Sequence, residues 1–559
     1  MLSRTYPARI RRLLDVRRSV FTRSGRLVHR LLFRARLATS ITLRFMRLFA
    51  YGVELVLLSK LFARHRLRAP VEITSALLKT KSVQHLPPEL SVSAPAGPIH
   101  RWSQGFAAVN AALFLNLRNP DSLSASRYAR PAPSFRAIYL WDSAFIAQIW
   151  KWWDPEVAWD VLRSVVDLRD GDRLQHFVAE ITSSKLTQPP LLAWSLEQLG
   201  HAVEPERFGA WVDALYEPLR AYHYWLFAHR QLPNGLFAWA HPYESGVENA
   251  PRFSSRDERR LDDTRRLAAP DFCAYMVVKC DALAAMARQI GRDEEAAAHE
   301  REAAALRAAV NLYLWDDAEG LYFDRDLQSG KFVRSRTIAS LLPLWAGIPD
   351  LRRAHRMREH ILEPTAFNTV IPLPSVALSD EAFERDMWRG PVWLNTAFAV
   401  IAGLRRYDFH DAAADLAFRL CDGVYRTFEH TGRLHEFYDP ERHDIDRLHR
   451  KRGNRWKRLT LGSRPVSDFV GWSGLVNTLV IDVLLGLQRN PVGLTMQPHL
   501  PPRAEGLNFA LNLPRDGLVI ELEVLANGAV CGTSRGPASD GRFEAAFGDT
   551  VVLQSARSA

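Results

Sequence analysis

The sequence predicts a mainly α protein: a closed helical barrel, preceded by a basic helical extension and followed by a small β-rich appendage. Three observations predict it. From about residue 101 to 490, long helical segments alternate with aromatic loops that contain Gly and Pro. The formal charge of +11 is concentrated at one end: residues 1–90 balance at +15, and the rest of the chain at −4. After about residue 495 the texture changes to short β-rich runs such as LVIELEVL (518–525) and TVVL (550–553), with Gly and Asp turns between them. The 559 residues, 47% hydrophobic and 24% charged, exclude a mainly disordered, collagenous or polytopic membrane chain.

The elements divide into an extension and linker (1–95), a helical domain (96–495) and the appendage (496–559). In the extension, Leu48, Tyr51, Leu55, Leu58 and Phe62 recur at helical spacing among many arginines. Arg44, Arg47, Glu54 and Lys60 interrupt the most apolar stretch, so no uncharged run spans a bilayer. A basic amphipathic helix on an anionic membrane surface is the reading adopted for residues 1–90; a transit peptide and a solvated tail are its rivals. Residues 82–100, rich in Pro and Ser, read as a linker. Within the helical domain, 293–314 (DEEAAAHEREAAALRAAVNLYL) is strongly helix-forming.

The charge partition excludes a uniformly basic nucleic-acid binder, and no nucleic-acid partner is expected. Cys273 and Cys280 stand seven apart in a helical stretch, about 10 Å along the axis, too far for a disulfide. No Cys/His cluster suggests zinc. Four unorganised cysteines fit a reducing compartment, and a cytoplasmic location is the expectation.

Six segments carry the chemistry: YLWDSAF (139–145), TQPPLLAW (187–194), HPYESGVENAPRF (241–253), WRGPVWLN (388–395), LHEFYDP (434–440) and FVGWS (469–473). Each lies in a loop between helices and joins aromatic to polar groups. Sugar sites need that mixture, because a sugar offers apolar faces that stack on rings and hydroxyls that need fixed carboxylates and amides.

In these motifs the chain resembles the inverting α-glycosidases of the (α/α)6-barrel type, glycoside hydrolase families 37 and 63. The branch that cleaves mannosylglycerate and glucosylglycerate is most similar. The resemblance covers roughly residues 100–495, with the motifs in the family's order. It implies an (α/α)6 barrel, hydrolysis of a small α-linked glycoside with inversion, and neither a metal nor an organic cofactor.

Carried over by position, the general base becomes Glu436 in LHEFYDP, and the general acid falls on Glu248 in ESGVE. The family usually has Asp at that second position. The extra methylene moves the carboxyl by about 1.5 Å, and a 1 Å misplacement can cost on the order of 100-fold in rate. Outside the resemblance, Glu248 would read as a surface loop carboxylate. The acid needs a raised pKa, and Trp239, Tyr243 and Phe253 are candidate desolvating walls. Asp142 matches a position that holds sugar hydroxyls, against a helix N-cap as the plain alternative. Gln188 matches a further sugar contact, its rival being a Pro-enforced turn. Trp141, Tyr243, Arg389, Trp393, Asn395 and Trp472 complete the implied substrate pocket, with a buried core role as the rival for each Trp.

One segment departs from the family. Residues 441–466 are strongly basic and include Arg450, Lys451 and Arg452. Arginine binds carboxylates bidentately, so this insertion is a candidate receiver for an anionic aglycone such as glycerate. A solvated charged loop is the plainer reading. Two other functions stay open: a non-catalytic carbohydrate-binding or scaffold protein on the same barrel, suggested by Glu248, and a trehalase-like or oligosaccharide α-glucosidase.

Overall fold

Within residues 100–484 the main helices described fall, in chain order, into six consecutive pairs. The computed structural model describes residues 73–253, 264–450, 461–490, 493–537 and 540–555, all within one unit, Leu61–Ala559. The basic extension to residue 72, and with it the membrane-surface reading, lies outside the described residues. Among the described residues no helix is long and apolar enough to cross a membrane.

Along the chain α1 (His100–Asn116) leads into α2 (Leu140–Trp150), and α3 (Pro155–Asp167) into α4 (Leu192–Leu199). Next come α5 (Pro205–Arg230) and α6 (Pro270–Gln289), then α7 (Asp293–Tyr313) and two 3₁₀ turns, Ile338–Ser340 and Leu342–Leu344. The last pairs are α8 (Leu351–Leu362) with α9 (Leu394–Arg406), and α10 (His410–Thr431) with α11 (Leu475–Thr478). The chain continues beyond α11 as a π-helical stretch, Leu479–Leu484.

The second members touch in order: α2 packs on α4, α4 on α6, α6 on the 3₁₀ pair, that pair on α9, α9 on α11, and α11 on α2. Burial separates the two sets. Every residue of α2 is buried, as a helix surrounded by others requires. In α8 only Ala354, Met357 and Ile361 are buried, at the spacing of one face. In α7, His299, Ala303, Leu306 and Val310 likewise form one buried stripe. Local chemistry sets the ends. The Asp154 carboxylate accepts from the backbone N–H groups of Glu156 and Val157 (3.1 and 3.3 Å), and Pro155 opens α3. Gly432, at φ 66°, stops α10.

The β-rich part is larger than the sequence suggests. Strands β1 (Glu89–Ala94) and β2 (Gly97–Pro98) arise inside the stretch read as a linker. In ELSVSA, Leu90 and Val92 are buried while Glu89 and Ser91 are exposed, the period of a half-buried strand. The flanking prolines hid that alternation. After β3 (Leu487–Asn490) and β4 (Gly493–Met496) come β5 (Asn508–Leu513), β6 (Leu518–Val524), β7 (Val530–Arg535), β8 (Asp540–Ala545) and β9 (Val551–Ser555). One antiparallel sheet has the order β8-β7-β6-β5-β1-β2, with Leu90 opposite Leu511. A second has the order β3-β4-β9. Strand texture therefore begins at residue 487 rather than 496, and the boundary at 95 separates β1 from its neighbour β2. The larger sheet is seated on α1 through contacts of α1 with β1, and the Trp102 ring meets Phe509 edge-on at 5.8 Å. All four cysteines are free.

Candidate active site

Four of the six aromatic–polar motifs immediately precede or open an inner helix, α2, α4, α9 or α11, which gathers them at one end; HPYESGVENAPRF and LHEFYDP lie in the long loops between α5 and α6 and between α10 and α11. The loop that carries Glu248 is clamped at several points. A single helical turn, Pro242–Ser245, starts where the His241 Nδ1 accepts from the Tyr243 N–H (3.1 Å). It ends at Gly246, φ 73°, where a Cβ would lie 2.5 Å from the Trp141 ring. Only glycine fits that backbone and that contact. Glu244, fully buried, takes a two-pronged bond from Arg230 (2.7 and 2.9 Å) and a further bond from the Ala240 N–H (3.0 Å). At the far end Arg252 forks onto Asp271 (2.5 and 2.8 Å) and reaches Asp324 (3.2 Å). Asn249, the neighbour of Glu248, accepts from the Trp388 N–H (3.0 Å) and donates to the Asp386 carbonyl (3.1 Å). Glu248 is half-buried between these clamps, not a fully exposed loop carboxylate.

Glu436 is more deeply placed. Its backbone N–H donates to the Val466 carbonyl (3.0 Å), and its carbonyl accepts from the Trp472 indole (2.8 Å). Its carboxylate is 3% exposed at the residue level and is ion-paired with the Arg450 guanidinium. Burial lowers the Arg450 pKa to about 10, and the opposing attraction comes first from Glu248, then from Tyr139, Asp386 and Tyr243. One buried cation is thus bonded to the candidate base and lies in the field of the candidate acid. Its position is fixed by backbone bonds: the Arg450 N–H donates to the Ser463 carbonyl (3.0 Å), and His449 exchanges bonds with Arg385 and Met387 (2.8 and 3.1 Å).

The walls follow. Trp141 and Trp472 meet at 5.5 Å, and Trp141 also faces Trp388 at 6.2 Å. Asp142 lies in the first turn of α2, beyond the N-cap Tyr139, so the capping alternative does not hold. Burial raises its carboxyl to about 8. Gly471 brings backbone so near that a Cβ there would lie 2.9 Å from the Asp142 carboxylate. The Gln188 side-chain oxygen accepts from the Trp141 N–H (3.3 Å). Asn395 opens α9 with both amide atoms buried and, among the described residues, without a hydrogen-bond partner. A buried amide left in that state costs about 1–3 kcal/mol, so it fits a position that waits for a ligand hydroxyl or a water.

Some expected residues serve as frame. Arg389 spends its guanidinium on Glu384 (3.2 Å) and the Ala382 carbonyl (3.3 Å), bracing its own loop. Trp393 stacks on Trp388 at 3.8 Å and donates to the Met387 carbonyl (3.0 Å), forming a second layer behind the wall. Trp239 stacks on Phe272 at 3.7 Å and bonds Asp271 (3.2 Å), and Phe253 packs under Arg252. Tyr243 is half-buried, with its ring over His241 at 5.1 Å. In the basic insertion, Arg442 pairs with Asp444 (2.6 Å) and Arg464 bonds the Leu448 carbonyl (3.0 Å). Lys451 and Arg452 lie outside the described residues. Sequence reasoning missed the clamps Glu244, Arg230 and Arg252, although two of the three lie inside a motif it singled out.

A family model for the mannosylglycerate hydrolase MGH1-like glycoside hydrolase domain matches residues 137–457, more than half of the chain. The chain belongs to that family. Its relatives include a mannosylglycerate hydrolase of Thermus thermophilus, 31% identical over 374 residues, which covers 54% of this chain and 88% of the relative. A periplasmic trehalase of Escherichia coli is 23% identical over 414 residues, covering 64% and 68% of the two chains. Among solved structures, the glycoside hydrolase family 63 mannosylglycerate hydrolase of Thermus thermophilus in complex with glucose is similar with a TM-score of 0.55. It is 26% identical and covers 66% of this chain and 98% of that one. The glycoside hydrolase family accounts for the site chemistry: two carboxylates, aromatic walls and buried amides at one end of a helical frame. The match spans all of the motifs except FVGWS, which lies beyond residue 457.

Proposed function

We propose that this glycoside hydrolase cleaves an α-linked glycoside of a small acidic alcohol, with mannosylglycerate as the leading candidate, and with inversion at the anomeric carbon. The ring of inner helices supports reading the frame as an (α/α)6 barrel. Glu248 holds the proton that passes to the glycosidic oxygen. Glu436 accepts a proton from the water that attacks the opposite face of the sugar. Inversion of this kind needs the two carboxyls about 6.5–9.5 Å apart, with room for that water.

The observation that carries the reading is the Arg450 guanidinium. It is bonded to Glu436 and attracted by Glu248, which supports a single pocket shared by both carboxylates. Paired with a cation, Glu436 is favoured in its ionised form, as a base must be. Asp142 and Asn395 are assigned to sugar hydroxyls, and Trp141 and Trp472 to the ring faces. With the carboxyl of Asp142 raised to about 8, its proton can be donated to a hydroxyl oxygen at neutral pH. Among the described residues of the basic insertion, Arg450, with a buried Nε that no described residue engages, is assigned to attract an acidic aglycone.

The test compares the wild type with Glu248→Gln and Glu436→Gln on mannosylglycerate, glucosylglycerate and trehalose. Each variant should lose at least about 100-fold in kcat, a general acid or base contributing about 10²–10⁴, and the glycerate glycosides should be preferred to trehalose. Trehalose as the best substrate would favour the trehalase-like reading. Full activity in both variants would overturn the assignment.

A further inference from the structure

The same inner helices enclose a second pocket at their other ends. Four of the six motifs sit at or before the starts of α2, α4, α9 and α11. The second cavity, about 460 Å³, is lined from within or beyond those helices, by Trp194 and Gln198 of α4, Asp281 of α6, and Arg405 and Arg406 at the end of α9. Along α9 the lining runs from Phe398 to Arg406, three to eleven residues beyond Asn395, which is about 4.5 to 16 Å of helix. None of the residues assigned to the catalytic pocket lines this cavity.

Its floor is aromatic. The Trp194 ring meets Trp345 and Phe398 edge-on, at 5.1 and 6.2 Å. These three residues keep 7–9% exposure, while Trp102 and Trp150 in the core keep none. The rim is planar and polar. Arg405 donates to the Asp482 carbonyl (3.1 Å), yet its buried Nε has no partner among the described residues. Arg406 lies 4.0 Å from Asp281, and Gln198 bonds Glu197 (2.6 Å). Two arginines and three carboxylates, Glu197, Asp281 and Asp482, line the cavity. Arg307 pairs with Asp281 (2.5 Å) and Lys151 with Asp482 (2.5 Å), so the charges nearly cancel.

That balance selects the ligand class. An anion would meet Glu197 and two carboxylates already paired with cations, and a cation two guanidiniums. An apolar ligand would leave the rim groups desolvated without partners. A neutral polyhydroxy compound satisfies both surfaces, with C–H faces on the rings and hydroxyls on the amide, carboxylates and guanidiniums. The volume is in the range of small-molecule sites and ample for a monosaccharide. We propose that this cavity is a second, non-catalytic binding site for a neutral sugar. The assignment stands whichever carboxylates perform the hydrolysis. It also gives a role to Trp194, which belongs to TQPPLLAW and lines this cavity. An aromatic chain joins the two sites: Trp141 to Phe145 at 6.1 Å, and Phe145 to Trp194 at 6.0 Å.

The test is saturation-transfer NMR with methyl α-D-mannoside and methyl α-D-glucoside on the full chain. Asp142→Ala disables sugar binding at the catalytic pocket, and Ala402→Trp fills the second one. Transfer to at least one sugar should persist in Asp142→Ala and disappear in the Asp142→Ala/Ala402→Trp double variant. The single variant Ala402→Trp should keep kcat within about twofold. If the added Trp unfolds the chain by circular dichroism, Gln198→Ala/Arg406→Ala in the Asp142→Ala background replaces it, with the same expected loss. Loss of all transfer in a folded Asp142→Ala variant would overturn the proposal, as would transfer that survives the filling substitution. The readout is binding, so failure of the hydrolytic assignment appears separately, as absence of turnover in the wild type.

Discussion

Replacing Arg450 with methionine isolates the contribution of the buried cation. The substitution keeps an unbranched side chain of moderate length but leaves the Glu436 carboxylate without its charged partner. Its other contact is weak, a 3.4 Å bond from the Val466 N–H. Removing one member of a buried pair costs about 3–5 kcal/mol, because the remaining charge stays desolvated. At about 1.4 kcal/mol per decade, that is on the order of 10²–10³ or more in the population of ionised Glu436. The carboxyl escapes the penalty by taking up a proton, and a protonated Glu436 cannot accept one from water. Arg450→Met should therefore lower kcat/KM at pH 6 by about 100-fold or more, with the deficit shrinking steadily toward pH 9. Arg450→Lys, which restores a charge without the fork, should fall between the two. The assay is kcat/KM on mannosylglycerate from pH 5 to 9, with circular dichroism to verify folding. A folded Arg450→Met variant within threefold of the wild type at pH 6 would refute the reasoning.

Three further outcomes follow from buried polar groups. Asn395→Leu removes two orphaned amide atoms, so Tm should rise while kcat/KM falls by about tenfold or more; a fall in both would contradict the ligand-facing role. Asp142, held up to about 8, keeps its proton in the folded chain between about pH 4 and 8, where the unfolded chain has lost it. Stability contributed by this group should thus decline as pH rises through that window, and Asp142→Asn should flatten the slope of Tm against pH; parallel slopes would count against it. Lys279 is fully buried over the Tyr222 ring, and no described residue accepts from its ammonium. Burial lowers it to about 7, so its cost is complete below that pH and fades as pH rises toward its unfolded value. Lys279→Met should raise Tm at pH 6 and much less at pH 10, and an equal change at both would contradict the burial argument.

The parts of the site that the sequence made legible are those with chemistry and position together. LHEFYDP and FVGWS each combine rings with polar groups, and the fold joins them through the bond from the Trp472 indole to the Glu436 carbonyl. Asp142 and Asn395 are recognisable from the motifs YLWDSAF and WRGPVWLN, which resemble sugar-binding segments of the family, and the fold places each in the first turn of an inner helix. The clamps were not legible. Arg230 lies 14 residues before Glu244, and Asp324 lies 72 residues after Arg252; nothing local announces such pairs. Arg389 was assigned to substrate because its motif resembles a sugar-binding one, and only the geometry reveals that Glu384 and Ala382 occupy it. Arg450 was visible as one of several basic residues in an insertion. What distinguishes it is burial, and that depends on the strand-like pairing of His449 with Arg385 and Met387. Strand β1 was missed for a different reason, since four prolines around six alternating residues outweigh the alternation in any local reading.

The central claim, an inverting attack by water activated at Glu436, is tested most directly by proton NMR of the first sugar released from an α-linked mannosylglycerate, recorded before mutarotation. β-Mannose is expected to appear first, and Glu436→Gln to release none. α-Mannose as the first product, or unchanged release from Glu436→Gln, would contradict it.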